Sequence, residues 1–517
     1  MSHETTPHSP SSVGSDPLTN RRKFITGAAA VAGAAALPIE LSAQVAGSDE
    51  IKVGLIGCGG RGSGAAAQTL TVDGCRLIAV ADAFQDRLDG GLNNIKGGME
   101  KAGRGDRVAV TDKKYVGLDA YKELIDNVDL VLVATPPGFR PIHFEYAVNA
   151  GKHVFMEKPV CVDAWGYNKI VKAAQAADEK GLKVVVGLQR HYQNVYREAF
   201  KKVHEEGMIG DIVSAQAWWN GSRPWIRERK PGQTEMEYQI MNWYHFAWLS
   251  GDHISEQHVH NIDVINWFVS GNSEKGGHPV TAQGLGGRCT REPLSVGEIF
   301  DHHFVEFRYE NGVILNSQCR HAKGAMPKVA EEIQGTEGTL YLQNGKIVDR
   351  KGATKWEYRE RNAPNPYQVE HDELHAAIRN KTPLNNAYYG ANSSFTSALG
   401  RIATYSGQQV SWDEAVKSDF NIGPKDYAFD AEAPSNLTPT ATMPSPSQER
   451  PKFLGRPDNF PHRHGAGPQS ALRKSGVRFF FAPVPSFRPL FKPPKNDPKS
   501  QAVATCCRSL PGEHFSG

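Results

Sequence analysis

A glycine-rich turn near residue 57 is the feature that most constrains the fold of this chain. Residues 51 to 56 form a short β-rich run, and Gly57-Cys58-Gly59-Gly60-Arg61-Gly62 then fits G-x-G-x-x-G at the start of a predicted helix. Glycines at these positions allow a tight turn, close approach of the backbone to a pyrophosphate and close helix packing. The motif therefore predicts a dinucleotide site, and a tight turn without a ligand is the alternative.

A carboxylate in the right place supports the dinucleotide interpretation. Asp82 ends the second predicted strand, 20 residues after Gly62. There it can accept hydrogen bonds from both hydroxyls of an adenosine ribose, and it would repel a 2′-phosphate. We therefore expect the cofactor to be NAD rather than NADP, although Arg87 nearby moderates that preference.

Two patterns of secondary structure divide the chain. Strands that alternate with helices from Ile51 onwards predict a parallel, doubly wound sheet, an α/β Rossmann domain that we place at 47–162. Alternating runs and the Glu310-Asn311-Gly312 hairpin signal then predict an α+β domain with an open, largely antiparallel sheet at 163–430. An exposed sheet face of this kind is commonly buried in a dimer or tetramer, so we expect a homo-oligomer.

Composition excludes several classes of protein. A net charge of +3 over 517 residues gives no electrostatic reason to expect a nucleic-acid partner. Seven scattered cysteines without a C-x-x-C pair predict neither a disulfide framework nor a zinc site. Residues 431–517 hold 15 of the 32 prolines and 12 Lys and Arg against 5 Asp and Glu, which predicts a basic tail without folded structure; a surface-binding arm is the alternative.

The first 46 residues are typical of an export signal. Arg21-Arg22 precede an Ala- and Gly-rich apolar run of 16 residues from Phe24 to Ile39, followed by small residues. The run is shorter than the roughly 20 residues that span a bilayer, so we expect no stable membrane span. The paired arginines predict the twin-arginine pathway and a periplasmic or otherwise exported protein, with a plain disordered terminus as the alternative.

Two further segments with candidate functional residues lie at the ends of two further strands. Ala134-Thr135-Pro136-Pro137 follows one strand, and Glu157-Lys158-Pro159 follows the next, where open α/β sheets bind ligands. With the glycine turn, Asp82, Gly187-Leu188-Gln189-Arg190 and the segment 251–263, these motifs resemble, in the same order, the glucose-fructose oxidoreductase and inositol dehydrogenase (Gfo/Idh/MocA) family. The resemblance covers about 51 to 418.

The resemblance implies an active site. By its match, His260 is the general base, Glu256 takes the place of an aspartate that the family usually has four residues earlier, and Lys158 polarises the substrate oxygen. The nicotinamide is expected between Thr135-Pro136 and Lys158, with Glu157 beside it. Departures from the family pattern at Glu256 and His258 put the family's usual polyol substrates in doubt.

The segment 251–263 also carries an expectation of its own. Read as one helix, Asp252, Glu256, His260 and Asp263 share a face, so carboxylates would surround the imidazole. His258 is expected either to bind substrate or to pack in the core. His258 and His260 are two residues apart and point away from each other on a helix, so we expect no metal.

Aromatic residues cluster in sequence around this segment. Aromatic faces stack on sugar rings, and Arg190 can donate hydrogen bonds to hydroxyls, so Arg190, Tyr192, Trp219 and His258 are the candidate substrate-binding residues. Of the further aromatics Trp218, Trp225, Trp243, Tyr244 and Trp248, some are expected to fill the core.

Together these features predict an exported NAD-dependent oxidoreductase that acts on a carbohydrate or cyclic polyol. Free NAD is scarce outside the cytoplasm, so we expect the cofactor to be tightly held and recycled. One alternative is an NAD-dependent glycoside hydrolase that oxidises a ring hydroxyl transiently, with no net redox change. Another is a non-catalytic sugar-binding protein that keeps the fold.

Overall fold

A computed structural model of the chain describes residues 50–290 and 296–434. The predicted export signal at 1–46 lies outside the described residues, and so does the predicted tail apart from 431–434. Within the described part of the chain, no helix combines the length and the apolar character that crossing a bilayer requires.

The first domain is built on a parallel sheet of six strands in the order β3-β2-β1-β4-β5-β6. This is the strand order of a dinucleotide-binding sheet, so the predicted doubly wound fold is confirmed. The strands are β1 (Ile51–Ile56), β2 (Cys75–Asp82), β3 (Lys114–Val116), β4 (Leu130–Val133), β5 (His153–Met156) and β6 (Val184–Val186). The helices are α1 (Gly60–Thr71), α2 (Gln85–Lys101), α3 (Ala120–Asp126), α4 (Arg140–Asn149) and α5 (Ala164–Glu179).

Burial explains why these runs form central strands. All four residues of β4 and all three of β6 are buried, as expected for parallel strands covered by helices on both faces. The sequence pattern places our domain boundary at residue 162, but β6 pairs with β5, so the first sheet continues past that residue. Strand β6 is therefore the last strand of the first sheet, and α5 connects it to β5.

The second domain contains a nine-stranded, mostly antiparallel sheet in the order β14-β13-β12-β11-β7-β10-β9-β8-β15, as predicted. Among the described strand pairings of this second sheet, only the central pair of β7 and β10 is parallel. The strands are β7 (Ile212–Gly221), β8 (Thr281–Gly287), β9 (His302–Arg308), β10 (Ile314–His321), β11 (Lys328–Gly335), β12 (Gly338–Tyr341), β13 (Lys346–Asp349), β14 (Thr354–Glu357) and β15 (Val410–Ser411). At the predicted turn between β9 and β10, Gly312 has a φ of 85°, which glycine adopts without strain.

Helices from this part of the chain pack partly on this sheet and partly on the first domain. They are α6 (Asn194–His204), α7 (Glu235–Met241), α8 (Ala247–Ser250), α9 (His253–Glu256), α10 (Val259–Ser270), α11 (Pro366–Asn380), α12 (Ala387–Ser406) and α13 (Trp412–Lys417). Most residues of α12 are buried, and the Ser394 hydroxyl accepts a 2.9 Å hydrogen bond from the Val160 amide just after β5. This helix therefore lies between the two sheets and holds the end of β5 against the second domain.

The segment 251–263 is not one helix, which corrects our expectation. The chain breaks between α9 and α10, and Asp252 has a φ of 73° and caps α9. Its buried carboxylate accepts hydrogen bonds from the Phe300 amide at 3.0 Å and the Tyr405 hydroxyl at 2.7 Å. Asp263 instead accepts a hydrogen bond from the Ser393 hydroxyl at 2.8 Å. The carboxylates of Asp252 and Asp263 are thus hydrogen-bonded to donors elsewhere in the chain. The four predicted residues therefore do not share one helix face.

Candidate active site

A cavity of about 420 Å³ runs along the carboxyl ends of β1, β2, β4 and β5. Ligands bind at this edge of open α/β sheets, and the order of strands reverses here between β1 and β4. The first domain lines it with Gly57, Gly59, Gly60, Arg61, Gly62, Asp82, Phe84, Arg87, Thr135, Pro136, Phe139, Arg140, His143, Glu157 and Lys158, among others. The second domain adds Trp225, Arg227, Ile240, Met241, Trp243, Glu256, His260 and Tyr367.

The glycine turn has the shape that a dinucleotide requires. Gly57 has a φ of 92°, and a Cβ on Gly62 would lie 1.9 Å from the Gly57 carbonyl oxygen. A Cβ on Gly59, by contrast, would meet no atom within 4 Å, because the cavity lies there. The turn thus presents bare backbone to the cavity at the N-terminus of α1, where helix amides stabilise a phosphate. These residues fit the pyrophosphate of NAD.

Asp82 lies at the adenosine end of the cavity. One carboxylate oxygen accepts a hydrogen bond from the Cys58 amide at 2.7 Å, and the other from the Phe84 amide at 3.0 Å. Burial raises the pKa of this carboxyl, and the two backbone hydrogen bonds oppose the rise. Each carboxylate oxygen can accept a second hydrogen bond, so the group is held in place and still able to bind two ribose hydroxyls.

Glu157 and Arg61 form an ion pair in the middle of the cavity. Arg61 Nε lies 2.5 Å from a Glu157 carboxylate oxygen, and Arg61 Nη2 lies 3.5 Å from a Glu370 carboxylate oxygen. The guanidinium carbon of Arg61 lies 5.0 Å from the ring centroid of Tyr367. Burial raises the pKa of the Glu370 carboxyl well above its usual range, and the neighbouring Glu157 raises it further. Arg61 thus lies between two carboxyl groups, and Glu157 is the nearer of the two.

Lys158 and Glu256 pair at the far end of the cavity. Lys158 Nζ donates to the Glu256 carbonyl oxygen at 2.6 Å and to its carboxylate at 3.0 Å. Our expectation that carboxylates would surround the His260 imidazole did not include this pairing of the Glu256 carboxylate with Lys158. Helix α9 ends at Glu256, so the Glu256 carbonyl accepts from Lys158 Nζ, and the His260 amide donates instead to the Gln257 carbonyl at 3.4 Å.

His260 lines the same end of the cavity and is buried. Its pKa is lowered well below the usual range, chiefly by burial and then by the positive charges of Lys158 and Arg190. The Trp219 ring stacks on it, with centroids 5.9 Å apart and an interplanar angle of 23°. His260 is therefore a neutral imidazole at neutral pH, able to accept a proton.

Three of the four predicted substrate-binding residues face other parts of the protein. Arg190 forms an ion pair with Glu331. The Glu331 carboxylate is buried, and a buried carboxylate is stabilised by a cationic partner. The Tyr192 hydroxyl donates to Asn386 at 2.5 Å, and His258 Nε2 lies 2.8 Å from the Ser317 hydroxyl with no exposed surface. Burial lowers the pKa of His258 to about 3, so it is a neutral core histidine. Trp219 contacts His260 but does not border the cavity described above.

Other side chains that border the cavity were not among our predicted site residues. Trp225 and Trp243 come from the aromatic cluster noted in the sequence, whereas Tyr367 lies on α11, more than 200 residues after Lys158. His143 Nδ1 lies 3.1 Å from the Thr135 hydroxyl, and burial lowers its pKa to about 3. The sequence order of the Thr135 to Pro159 block could have indicated His143, but no local signal marks Tyr367.

Comparison with known proteins agrees with this architecture. The chain is 23% identical to a glycosyl hydrolase family 109 protein of Shewanella baltica, in an alignment that covers 60% of this chain and 67% of the relative. It is 26% identical to the inositol 2-dehydrogenase of Ralstonia nicotianae (59% and 77%). For three other curated relatives, the chain spans 64%, 51% and 34% of their length. The fold matches scyllo-inositol dehydrogenase from Lactobacillus casei, solved with NAD(H) and scyllo-inositol, with a TM-score of 0.51 and 20% identity over 70% of this chain and 99% of that one.

Two family models assign the domains. Residues 51–188 match the Gfo/Idh/MocA model described as an oxidoreductase family with an NAD-binding Rossmann fold. Residues 198–341 match the Gfo/Idh/MocA C-terminal domain. Together they span more than half of the 517 residues and correspond to the two sheets described above. The chain therefore belongs to the Gfo/Idh/MocA oxidoreductase family.

Proposed function

We propose that this protein is an NAD-dependent dehydrogenase that acts on a CH–OH group of a carbohydrate or cyclic polyol. The proposal rests on the residues that line one cavity. The bare glycine turn and Asp82 form one end, and neutral His260 lies with the Lys158–Glu256 pair at the other. A dinucleotide held by the turn would direct its nicotinamide towards Thr135, Pro136 and Lys158.

The side chains at this end divide the work of oxidation. A bound nicotinamide would supply the hydride acceptor. His260 is neutral, so its ring can accept the hydroxyl proton of the substrate. An ammonium group has three N–H donors, and Lys158 directs two towards Glu256, which leaves one for the substrate oxygen. Glu256 thereby positions the ammonium group, and Trp225 and Trp243 offer aromatic faces to a sugar ring.

A second function deserves a direct test, because one relative is a glycosyl hydrolase family 109 protein. In that case the same residues would oxidise a ring hydroxyl transiently and return the hydride after the glycosidic bond is cleaved. Both functions need a bound NAD, and they differ in whether NADH accumulates.

The deciding experiment uses the full chain as purified. Its bound cofactor is identified by mass spectrometry, and the protein is incubated with inositols, free sugars and aryl glycosides. NADH that accumulates with a free polyol or sugar supports the dehydrogenase. Aglycone release without added cofactor and without net NADH supports the hydrolase. Saturable sugar binding with neither reaction would overturn both in favour of a sugar-binding protein.

Cofactor preference should depend on Asp82. Replacing it with alanine is expected to weaken NAD binding by about 10- to 100-fold, the cost of losing hydrogen bonds to a charged group. NADP should be affected less, since Arg87 and Arg227 border the same end of the cavity. Titration of tryptophan fluorescence with both cofactors measures this, with Asp89→Ala on the exposed face of α2 as the control. Tighter NADP than NAD binding by the unchanged protein would refute the assignment.

We also propose that the protein is exported through the twin-arginine pathway, on the basis of Arg21-Arg22 and the short apolar run that follows. Changing both arginines to lysine is expected to leave the precursor in the cytoplasm. Cell fractionation with N-terminal sequencing checks this, and normal export of the doubly changed protein would contradict the route.

A further inference from the structure

The described chain ends in a segment with no regular secondary structure that is nevertheless anchored to both domains. We call residues 420–434 the C-terminal strap; it follows α13 and lies beyond both family matches. Its first part is fixed at the start of α5, where the Phe420 carbonyl accepts from the Trp165 amide at 3.1 Å. The Ile422 amide donates to the Asp163 carboxylate at 2.9 Å.

The strap then packs behind the wall of the cavity. The ring centroids of Phe429 and Phe84 lie 5.5 Å apart, and those of Tyr427 and Phe139 lie 5.6 Å apart. Phe84 and Phe139 both border the cavity, and Phe84 follows Asp82 by two residues. The strap therefore contacts two residues of the first-domain wall, while Tyr427 and Phe429 themselves do not border the cavity.

The opposite wall comes from the second domain. We call residues 225–243, which include α7, the cap. Within the cap, the Arg227 amide donates to the Asn242 side chain at 2.8 Å, and Arg227 Nη1 donates to the Met241 carbonyl at 2.7 Å. The Arg227 guanidinium also lies 4.1 Å from the ring centroid of Trp225. These contacts tie the two ends of the cap together, and both ends border the cavity that Asp82 and Phe84 also line.

The strap also binds the cap. The hydroxyl of Thr234, which caps α7, donates to the Phe429 carbonyl at 2.7 Å. Buried Ala433 packs in one apolar cluster with Met236, Tyr238 and Ile240 of the cap. A single segment thus contacts both walls of the cavity, and separating the walls requires breaking its contacts.

We propose that the C-terminal strap retains the dinucleotide by holding the cap against the Phe84 and Phe139 wall. This inference rests on the proposed function, because it needs NAD in the cavity. A dinucleotide bound beneath the cap leaves only when the cap moves away from the first domain. The aromatic contacts of Tyr427 and Phe429 and the Thr234 hydrogen bond oppose that movement, so they slow release of the cofactor without touching it.

The test compares dissociation rates of NADH from the full chain. Protein loaded with NADH is mixed with excess NAD, and loss of the bound fluorescence is followed. Phe429→Ala is expected to release NADH at least 10-fold faster than the unchanged protein. Thr234→Val loses the hydrogen bond to the strap and also the side-chain cap that the same hydroxyl gives α7, both of which hold the cap in place, so a smaller acceleration in the same direction is expected. The preference for NAD over NADP should stay the same, because Asp82 is intact.

Phe200→Ala is the matched control. Phe200 is a partly buried phenylalanine that stacks on Trp267 in the second domain and does not border the cavity. This variant should lower the melting temperature and leave NADH release unchanged, which separates retention from a general loss of stability.

The outcomes distinguish the two proposals. NADH release from Phe429→Ala and Thr234→Val at the unchanged rate would overturn the role of the strap while leaving the proposed function intact. Equal acceleration by Phe200→Ala would also overturn it. An unchanged protein that binds no NAD(H) would overturn the proposed function and the retention mechanism with it.

Discussion

His260→Ala is expected to slow hydride transfer by about 100- to 10,000-fold, the usual range for loss of a general base. NAD affinity should change little, since the glycine turn and Asp82 lie at the other end of the cavity. Single-turnover formation of NADH measures the rate, and fluorescence titration measures NAD affinity.

His258→Ala is the control for that prediction, because His258 lies two residues away and is fully buried against Ser317. Losing a buried hydrogen-bonded group should lower the free energy of unfolding by about 1–3 kcal/mol and leave the rate per folded molecule nearly unchanged. Turnover by His260→Ala close to that of the unchanged protein would refute the assignment of the base.

Lys158→Met is expected to reduce the rate and to change its pH dependence. Burial, followed by the positive charge of Lys158, lowers the pKa of His260. Removing that charge raises the pKa of His260, so the imidazole becomes protonated, and inactive as a base, at a higher pH. The acid limb of kcat/KM should therefore move towards neutral pH, in addition to a loss of about 100-fold or more from the missing donor to the substrate oxygen.

The pH profile needs two companion variants. Glu256→Gln keeps a hydrogen-bond acceptor for Lys158 and removes the negative charge that holds the ammonium, so a milder loss of rate is expected. Lys158→Met combined with Glu256→Gln removes both charges and avoids an unpaired carboxylate in the cavity. An acid limb that stays in place in Lys158→Met would show that the lysine does not tune His260.

Local physics made the first domain predictable. The glycine turn constrains its own backbone, since a Cβ at Gly62 would clash with the Gly57 carbonyl, and the apolar run of β4 is buried on both faces. Asp82 is the last residue of β2, where the end of the apolar run placed it. The alternation in β9 and β10 with a glycine turn between them likewise predicted an antiparallel pair.

Tertiary structure decided which groups meet at the chemical end of the cavity. The sequence placed Lys158, Glu256 and His260 in one site, but the pairing of the Glu256 carboxylate with Lys158 became visible only in the folded chain. Arg190 bears the same charge whether it binds substrate or pairs with Glu331, and the partner becomes visible only once β11 is in place.

The parts of the site that come from distant segments were beyond local prediction. Tyr367 on α11 reaches Arg61, and Phe429 in the strap reaches Phe84, through contacts that span more than 300 residues of sequence. Glycine turns and hairpins depend on neighbouring residues, so the type of each sheet and the dinucleotide end could be predicted from the sequence. Ion-pair partners and enclosing walls depend on which elements pack together, so the arrangement of the substrate end became visible only in the folded chain.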